Sequence, residues 1–334
     1  MIIDLPSTTT SNVNKKLVEL RESGGAVALG RVLTLVIVTS DGSEVEQAVQ
    51  AANDASREHP CRVIVVASGA RQAAPRLDAQ IRIGGDAGAS EVVVLRLYGP
   101  LADEGAGAVV PLLLPDAPVV AYWPGQAPEI PAKDPIGALS HRRITDAAAE
   151  PNPIAALHKR VKSYVAGDTD LAWTRLTSWR AMLSSAMDLP PHEAVTAATV
   201  RGAADSPSTD LLAAWLADCL NVEVLREDHP REGSGIYSAV LERPSGNIEI
   251  VRPDGKVGSL TQPGQPDRRI ALQRREIRDC LSEELRRLDP DEIYEATLGG
   301  LHRISRAADR PEAETDAEQP AEQEGGEAGK GKKS

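Results

Sequence analysis

The sequence has 334 residues, which at roughly 150 residues per domain predicts two domains with cores of their own. Hydrophobic residues make up 41% and charged residues 26%, so the composition excludes a fibrous or mostly disordered chain. The net charge of −12 repels phosphate backbones and anionic bilayers, which argues against nucleic acid and membrane surfaces as partners. No apolar run approaches the roughly 20 residues that span a bilayer, and residues 1–11 lack the features of a signal peptide. We therefore expect a cytoplasmic protein, and an odd number of cysteines, three, fits that reducing compartment.

The first half of the chain has the pattern of an α/β domain. An opening helix is predicted to stop at Gly24-Gly25, and the apolar run Val32–Val38 predicts a strand that is covered on both faces. A capping box at Ser43–Glu46 predicts the start of a second helix, and Arg62–Ala67 predicts a second buried strand. Because strand–helix–strand crossovers are right-handed, these two strands are expected to be parallel.

Further elements extend this domain to residue 166. The remaining predicted elements are strands at Ile81–Ile83, Val92–Tyr98, Val119–Trp123 and around Arg143–Thr145, and helices at Ala106–Leu114 and Pro153–Val165. The sheet is therefore expected to hold five or six strands in a mainly parallel, Rossmann-like arrangement. We place the boundary between this α/β domain, residues 1–166, and the next domain at Gly167-Asp168.

The second half of the chain predicts an α+β domain over residues 167–306. From residue 236 onward, consecutive strands are joined by Ser245-Gly246 and Asp254-Gly255, two strong hairpin turns, so we expect an antiparallel sheet. The predicted helices are Asp170–Met187, Thr209–Leu220, Arg274–Leu288 and one that opens at Asp289-Pro290. From residue 307 the chain is too polar to bury a core, so residues 307–334 are expected to form a disordered, low-complexity acidic tail.

The loops after the predicted parallel strands offer little catalytic chemistry. Thr39–Gly42 holds one glycine where dinucleotide binding needs three, so the backbone cannot approach a pyrophosphate closely. Ser68–Arg71 is either an ordinary turn or a cradle for a single phosphate. His192-Glu193 lacks the second histidine of a zinc motif, because Thr196 stands in its place. We therefore predict no catalytic residue, no cofactor and no metal site, which favours a binding protein over an enzyme.

The segment Asp170–Leu183 is the richest candidate surface. Trp179 falls on its apolar stripe, whereas Trp173 lies about 100° from the centre of that stripe, beside Thr177 and Arg180 at helical spacing. Trp and Arg are enriched at interface hot spots, so this face is a candidate for binding a partner protein. The alternative is that Trp173 packs at the seam between the two domains, and the sequence leaves both possibilities open.

Three further residues are candidates for a partner interface. Ser140–Asp146 concentrates cations beside a predicted strand, and its Arg142 and Arg143 line either a solvated edge or a surface for an acidic partner or a phosphate. Trp123, at the end of another predicted strand, is the third candidate.

The cysteines predict inert thiols rather than a redox or metal site. Cys219 and Cys280 lie on apolar helical stripes, and Cys61 opens an apolar strand. No pair has the spacing of a redox or zinc motif, so all three are expected to be buried and unreactive.

Several segments together resemble one known family. They are Leu5–Thr9 leading into Val13–Leu17, Arg31–Val38, Trp123–Gly125, His141–Ile144 and Asp170–Arg180. The combination resembles the glucose-6-phosphate dehydrogenase assembly protein family, OpcA, in its actinobacterial form, from Met1 to about Ser305. The resemblance implies a non-catalytic partner that binds and activates NADP-dependent glucose-6-phosphate dehydrogenase, at the entry to the oxidative pentose phosphate pathway.

Two other classes of function stay open beside this resemblance. A small-molecule sensor or enzyme on a degenerate Rossmann-like domain would bind a nucleotide or a sugar phosphate by itself. A purely structural scaffold would change only the assembly size of its partner. Cyanobacterial members of the family are associated with redox control through cysteines, but no pair of cysteines here is suitably spaced, so we expect no redox switching.

Overall fold

A computed structural model describes residues 1–23, 32–83, 91–230 and 235–306. Two β-sheets and the helices that cover them account for most of these residues. The predicted helix stop at Gly24-Gly25 and the predicted disordered tail, residues 307–334, lie outside the described residues.

The first sheet forms around the apolar, β-branched runs of the first half of the chain. Within the described ranges it has eight strands: β1 (Ile2–Leu5), β2 (Leu33–Ser40), β3 (Cys61–Ser68), β4 (Arg76–Arg82), β5 (Glu91–Tyr98), β6 (Val119–Tyr122), β7 (Arg142–Thr145) and β8 (Asp168–Asp170). Their order is β1-β4-β5-β3-β2-β6-β7-β8. The strands from β5 to β8 run parallel, and β4 and β1 add an antiparallel edge. The expected mainly parallel sheet is confirmed, with more strands than the five or six predicted.

The order of the parallel strands determines where a ligand crevice opens. From β2 the chain winds through β3 to β5 towards one edge, and from β6 it winds through β7 to β8 towards the other. This is the strand order of a doubly wound dinucleotide-binding fold, in which ligands bind beyond the carboxyl ends of the strands where the winding reverses. The reversal here lies between β2 and β6.

Helices cover both faces of this sheet. Leu35 and Ile37 of β2 share a core with helix α2 (Ser43–Ser56), and Val36 points to the opposite core, which contains Leu17 of helix α1 (Thr10–Ser23). This alternation explains why β2 is apolar at nearly every position.

The predicted capping box at the start of α2 is wrong. The helix begins at Ser43, so the N-cap position falls on Gly42, which has a φ of 149° that favours glycine. The carboxylate of Glu46 accepts a hydrogen bond from Arg82 at 2.9 Å.

The second sheet lies in the second half of the chain. Its seven strands in the described residues are β9 (Ala197–Gly202), β10 (Glu223–Asp228), β11 (Ile236–Glu242), β12 (Ile248–Val251), β13 (Val257–Thr261), β14 (Arg268–Ala271) and β15 (Ile304–Arg306). The antiparallel expectation is confirmed for the run from β11 to β14. It is wrong for β9, β10 and β15, which lie parallel to one another and make the sheet mixed.

The helices of the second half depart from the prediction in one place that matters for the site. The helix expected at Asp170–Met187 is two helices, α5 (Leu171–Thr174) and α6 (Thr177–Met187), which Arg175 and Leu176 separate. The other helices described after α2 are α3 (Gly105–Val109), α4 (Pro153–Ser163), α7 (Pro207–Leu220), α8 (Ile277–Arg286) and α9 (Glu292–Gly300). None of the helices in the described ranges is long and apolar enough to cross a bilayer.

Two segments beyond the predicted boundary at residue 167 contribute to the first sheet. Strand β8 pairs with β7. Helix α8 packs on α2, and its Cys280, Leu281 and Leu285 join the core formed by β2 and β3. The first sheet therefore needs residues from near the end of the described chain.

One cysteine prediction is wrong. Cys61 and Cys280 are buried as expected, but Cys219 is exposed. It lies in the last turn of α7, beside the exposed Asp218, where the helix leaves the core that its earlier turns fill.

Candidate functional site

A crevice opens where the winding of the first sheet reverses. Its volume is about 600 Å³, and its walls include Thr39 and Ser40 at the end of β2, Ser68 at the end of β3 and Trp123 directly after β6. A dinucleotide would bind at this place in a doubly wound fold. Gly42 is the one glycine in the loop after β2, where the dinucleotide motif has three.

Several polar groups near the crevice form hydrogen bonds or ion pairs with one another. Asp41 accepts hydrogen bonds from Arg96 at 3.1 Å and from the Tyr98 hydroxyl at 2.7 Å. Arg71 forms an ion pair with Asp103 at 3.0 Å. A Cβ on Gly69 would lie 2.3 Å from the Tyr98 ring, so packing alone accounts for that glycine. These contacts favour an ordinary turn at Ser68–Arg71.

No metal centre is visible in the described part of the chain. Within it, no group of three or more His, Cys, Asp or Glu side chains is placed to hold an ion.

Asp170 organises the seam where the two halves of the chain meet. Its buried carboxylate caps α5 by accepting from the amide of Ala172 at 2.8 Å, and it accepts from the Thr145 hydroxyl at 2.6 Å and the amide of Ala147 at 2.9 Å. Burial raises the pKa of this carboxyl, and the nearby charge of Asp146 adds to the effect. Because every contact is internal, Asp170 has a structural role here.

Trp173, the centre of the predicted partner-binding face, is buried in the core that surrounds α7. Its side chain is 1% exposed, and its Nε1–H donates to Asp291 Oδ2 at 2.8 Å. The ring lies 5.6 Å from that of Tyr294, and the guanidinium carbon of Arg180 sits 3.8 Å from the ring centroid. All three of these neighbours belong to the second half of the chain, and together they keep the ring from solvent.

Thr177 and Arg180, the other two residues of that face, are half-buried. The Thr177 hydroxyl donates to Glu283 at 2.7 Å. Burial lowers the pKa of Arg180, although Asp291 and Glu283 act against that effect. The Nε atom of Arg180 has no hydrogen-bond partner among the described residues.

Arg142 and Arg143 occupy neither of the surfaces predicted for them, because both are buried. Arg142 donates from Nε to Glu284 at 3.0 Å and from Nη1 to the carbonyl of Asp289 at 2.7 Å, which fixes α8 to the first sheet. Arg143 pairs with Asp168 and donates to the carbonyl of Ala166 at 2.7 Å. A charge so placed is stabilised by its partner and not by solvent.

Trp123 is also buried, at 2% exposure, in the core on the α1 face of the first sheet. Of the six interface candidates, this residue, Trp173, Arg142 and Arg143 therefore lie inside the protein, and a partner could reach them only if the structure opened. The assignment of the interface remains a prediction.

Sequence reasoning missed a small cavity that three arginines line. The cavity measures about 130 Å³ and lies at the start of α7, with Arg175, Arg252 and Arg274 among its walls. The three residues are far apart in the sequence and no motif connects them. The sequence instead predicts a cationic surface at residues 140–146, where basic residues follow one another directly.

Comparison with family models decides which family the chain belongs to. A model described as the glucose-6-phosphate dehydrogenase subunit N-terminal domain, in the OpcA family, matches residues 52–162. The corresponding C-terminal domain model matches residues 166–298. The chain belongs to the OpcA family. The two OpcA domain models follow each other in order and together cover most of the chain between residues 52 and 298.

Solved structures similar to this OpcA chain are distant. One is a UDP-N-acetylglucosamine 3-dehydrogenase from Acidithiobacillus ferrooxidans, at 9% identity, covering 81% of this chain and 96% of that one with a TM-score of 0.33. Another is glucose-6-phosphate 1-dehydrogenase from Mycobacterium avium, at 10% identity, covering 82% and 93% with a TM-score of 0.35. No curated protein matches the sequence. At these scores the structural similarities carry no weight for function.

Proposed function

We propose that this protein binds glucose-6-phosphate dehydrogenase in the cytoplasm as a non-catalytic assembly partner and activates it allosterically. The observation that carries the proposal is the match of both OpcA domain models, in order, along one chain. The net charge of −12 supports a protein partner over nucleic acid. The loop after β2 holds one glycine where a dinucleotide motif has three, which supports a chain that does not itself use a dinucleotide.

Activation requires the protein to bind the active state of the dehydrogenase more tightly than the inactive state. Allosteric couplings are typically about 1–3 kcal/mol, or roughly 5- to 150-fold in affinity. The coupling must therefore come from contacts that exist in one state of the partner and are lost in the other.

Among the predicted interface residues, Thr177 and Arg180 on α6 are the two that a partner can reach without opening the fold. The half-buried guanidinium of Arg180 is held in place over the Trp173 ring. Its charge is partly desolvated, as the lowered pKa indicates. A carboxylate or carbonyl of the partner would find a fixed donor here, and such charge-assisted hydrogen bonds are the stronger kind.

The test mixes the purified protein with the dehydrogenase and measures initial rates and molar mass together. An activator raises the turnover or lowers the KM, whereas a scaffold changes only the mass. The protein alone should not reduce NADP with glucose 6-phosphate, and reduction without the partner would show that it is an enzyme. A mixture that forms no complex would overturn the proposal.

Two arginine variants locate the contact. Arg180→Gln should weaken the complex about tenfold or more, because a partner group would lose a charged donor. Arg57→Gln, which removes the same charge from an exposed position at the end of α2, is the matched control and should bind normally. Equal affinity of both variants would remove Arg180 from the interface.

The crevice of about 600 Å³ is the one observation that favours a small-molecule sensor as a second candidate. A sensor would bind a nucleotide or a sugar phosphate in the absence of the dehydrogenase. Titration of the isolated protein with NADP in the presence of excess inorganic phosphate separates the two. The phosphate fills any site that recognises a phosphate group alone, so an assembly partner without a cofactor should then give no saturable NADP signal.

A further inference from the structure

The cavity at the start of α7 concentrates positive charge in a small volume. Arg175 comes from the break between α5 and α6, Arg252 follows β12, and Arg274 precedes α8, so three separate segments bring a guanidinium to the same place. Asp205 also lines the cavity and is exposed at its rim. A volume of about 130 Å³ is several times the ~30 Å³ that one water occupies in the liquid.

Two of the guanidiniums are fixed by other contacts. Arg252 is 5% exposed and donates to the carbonyls of Leu272 at 2.9 Å and Ile236 at 2.7 Å. Arg175 binds Asp146 through both terminal nitrogens, at 2.7 and 2.6 Å. Arg274 is the exposed member, so a ligand would meet its side chain at the mouth of the cavity.

The electrostatics of the cavity favour an anion. Burial and the charge of Arg274 together lower the pKa of Arg252 to about 10, although Asp254 acts against them. Burial and the charge of Arg175 also lower the pKa of Arg274. Burial acts in the same direction on Arg175, but its pairing with Asp146 outweighs burial and raises the pKa of Arg175 instead. Arg274 therefore feels repulsion from Arg175 and exerts it on Arg252, and an anion bound beside Arg274 relieves that repulsion.

The start of α7 adds a second source of positive potential. This helix has 14 residues, its N-cap is Ser206, and Ser206 and Ser208 both line the cavity. Pro207 has no N–H, and the amides of Thr209 and Asp210 bond to Ser206. The amide of Ser208 is therefore the donor of the first turn that has no carbonyl partner within the helix. Helix N-termini of this kind stabilise negative charge and bind phosphate groups.

We propose that this cavity binds the phosphate group of a small molecule. A tetrahedral oxyanion has enough acceptor atoms to engage several guanidiniums and a helix N-terminus together, whereas a carboxylate has only two oxygens. Arginine forks suit this geometry because they can bind a phosphate through two parallel hydrogen bonds. The site goes beyond the proposed function and does not depend on it, since it concerns the isolated chain.

The test is calorimetric titration of the full chain in chloride buffer, with inorganic phosphate in one arm and glucose 6-phosphate in the other. Glucose and extra sodium chloride serve as controls for the sugar and for ionic strength. Both phosphate compounds should bind saturably and compete with each other. Equal affinities identify the phosphate group alone as the ligand, and a tenfold preference for the ester shows that the sugar contributes contacts.

Variants then assign the binding to the cavity. Arg274→Gln should weaken phosphate binding about tenfold or more without affecting the fold, because Arg274 is exposed. Arg269→Gln, an exposed arginine of β14 that does not line the cavity, is the matched control and should bind like the wild type. Arg252→Gln provides a second test, with the melting temperature measured to confirm that it is folded.

Two results would overturn the proposal. One is the absence of saturable binding of either compound at concentrations up to about 10 mM, well above the range in which a site of this kind should fill. The other is binding that persists unchanged in both Arg274→Gln and folded Arg252→Gln. Neither result bears on whether the protein binds the dehydrogenase, so this test and that of the proposed function fail independently.

Discussion

Replacing Trp173 by alanine should destabilise the core of the second half of the protein. The ring is 1% exposed, so the substitution removes most of the ~150–250 Å² that an aromatic side chain buries. At about 25 cal/mol per Å² this area corresponds to roughly 4–6 kcal/mol as an upper limit, and buried Trp→Ala changes typically cost about 3–5 kcal/mol. The loss of the 2.8 Å hydrogen bond to Asp291 is included in that range. We expect a destabilisation of about 4 kcal/mol, which lowers the melting temperature by about 10 °C.

The assay combines thermal unfolding with affinity for the dehydrogenase, measured well below the melting temperature of each variant. Trp173→Phe keeps an aromatic ring beside Arg180 and Tyr294 but loses the donor to Asp291, so it should cost about 1–2 kcal/mol and leave binding unchanged. Arg180→Gln should show the opposite pattern, with a small change in melting temperature and a clear loss of affinity. A Trp173→Ala protein that melts within about 2 °C of the wild type, but fails to bind, would refute our assignment of the ring to the core.

Three further predictions follow from buried or exposed groups. Arg142→Met should lower the free energy of unfolding, measured by urea denaturation, by about 3–5 kcal/mol, because it leaves Glu284 buried without its partner. Adding Glu284→Leu should recover much of this loss, and no recovery would argue against the ion pair. Ellman's reagent should label about one thiol per native chain, Cys219, because Cys61 and Cys280 are buried. Partial burial and the charge of Asp218 raise the pKa of the Cys219 thiol, so little thiolate forms and mild oxidants should leave activation of the dehydrogenase unchanged. Activation that is sensitive to oxidants would contradict this expectation. Burial and Glu295 raise the pKa of Tyr164 to about 12, so the folded protein holds this proton more tightly than the unfolded chain does. The resulting stability is intact below pH ~10 and is lost as the pH rises towards ~12, so Tyr164→Phe should flatten the fall in melting temperature over that range, and an unchanged slope would exclude the contribution.

The sequence identified the elements whose signal is local. The run from Val32 to Val38 is apolar at every position except Thr34, and it becomes the central strand β2 with packed helices on both sides. Strand β1 is not predicted from the sequence, because it has only four residues and its pairing partner β4 lies far along the chain. Strand order likewise depends on long-range pairing, which periodicity does not report.

Buried charge was the main source of error at the candidate site. Arginines are mostly exposed in proteins, so the sequence predicts that Arg142 and Arg143 lie at the surface. Their burial depends on Glu284 and Asp168, of which the first lies on a helix near the end of the described chain. The arginine cavity was missed for the same reason, because its three guanidiniums come from segments that only the fold brings together.

The position of α8 affects how the protein can fold during its own synthesis. Domains usually fold as units from the N-terminus while the ribosome adds about 5–20 residues per second. Here the core behind β2 and β3 stays incomplete until Cys280, Leu281 and Leu285 have been translated. On the order of 10 s or more passes between β3 and α8 at those rates, and the part of this core that α8 covers is exposed throughout. A nascent or truncated chain that ends before α8 is therefore a natural substrate for chaperones and proteases, and the protein reaches its protected state only once α8 has been made.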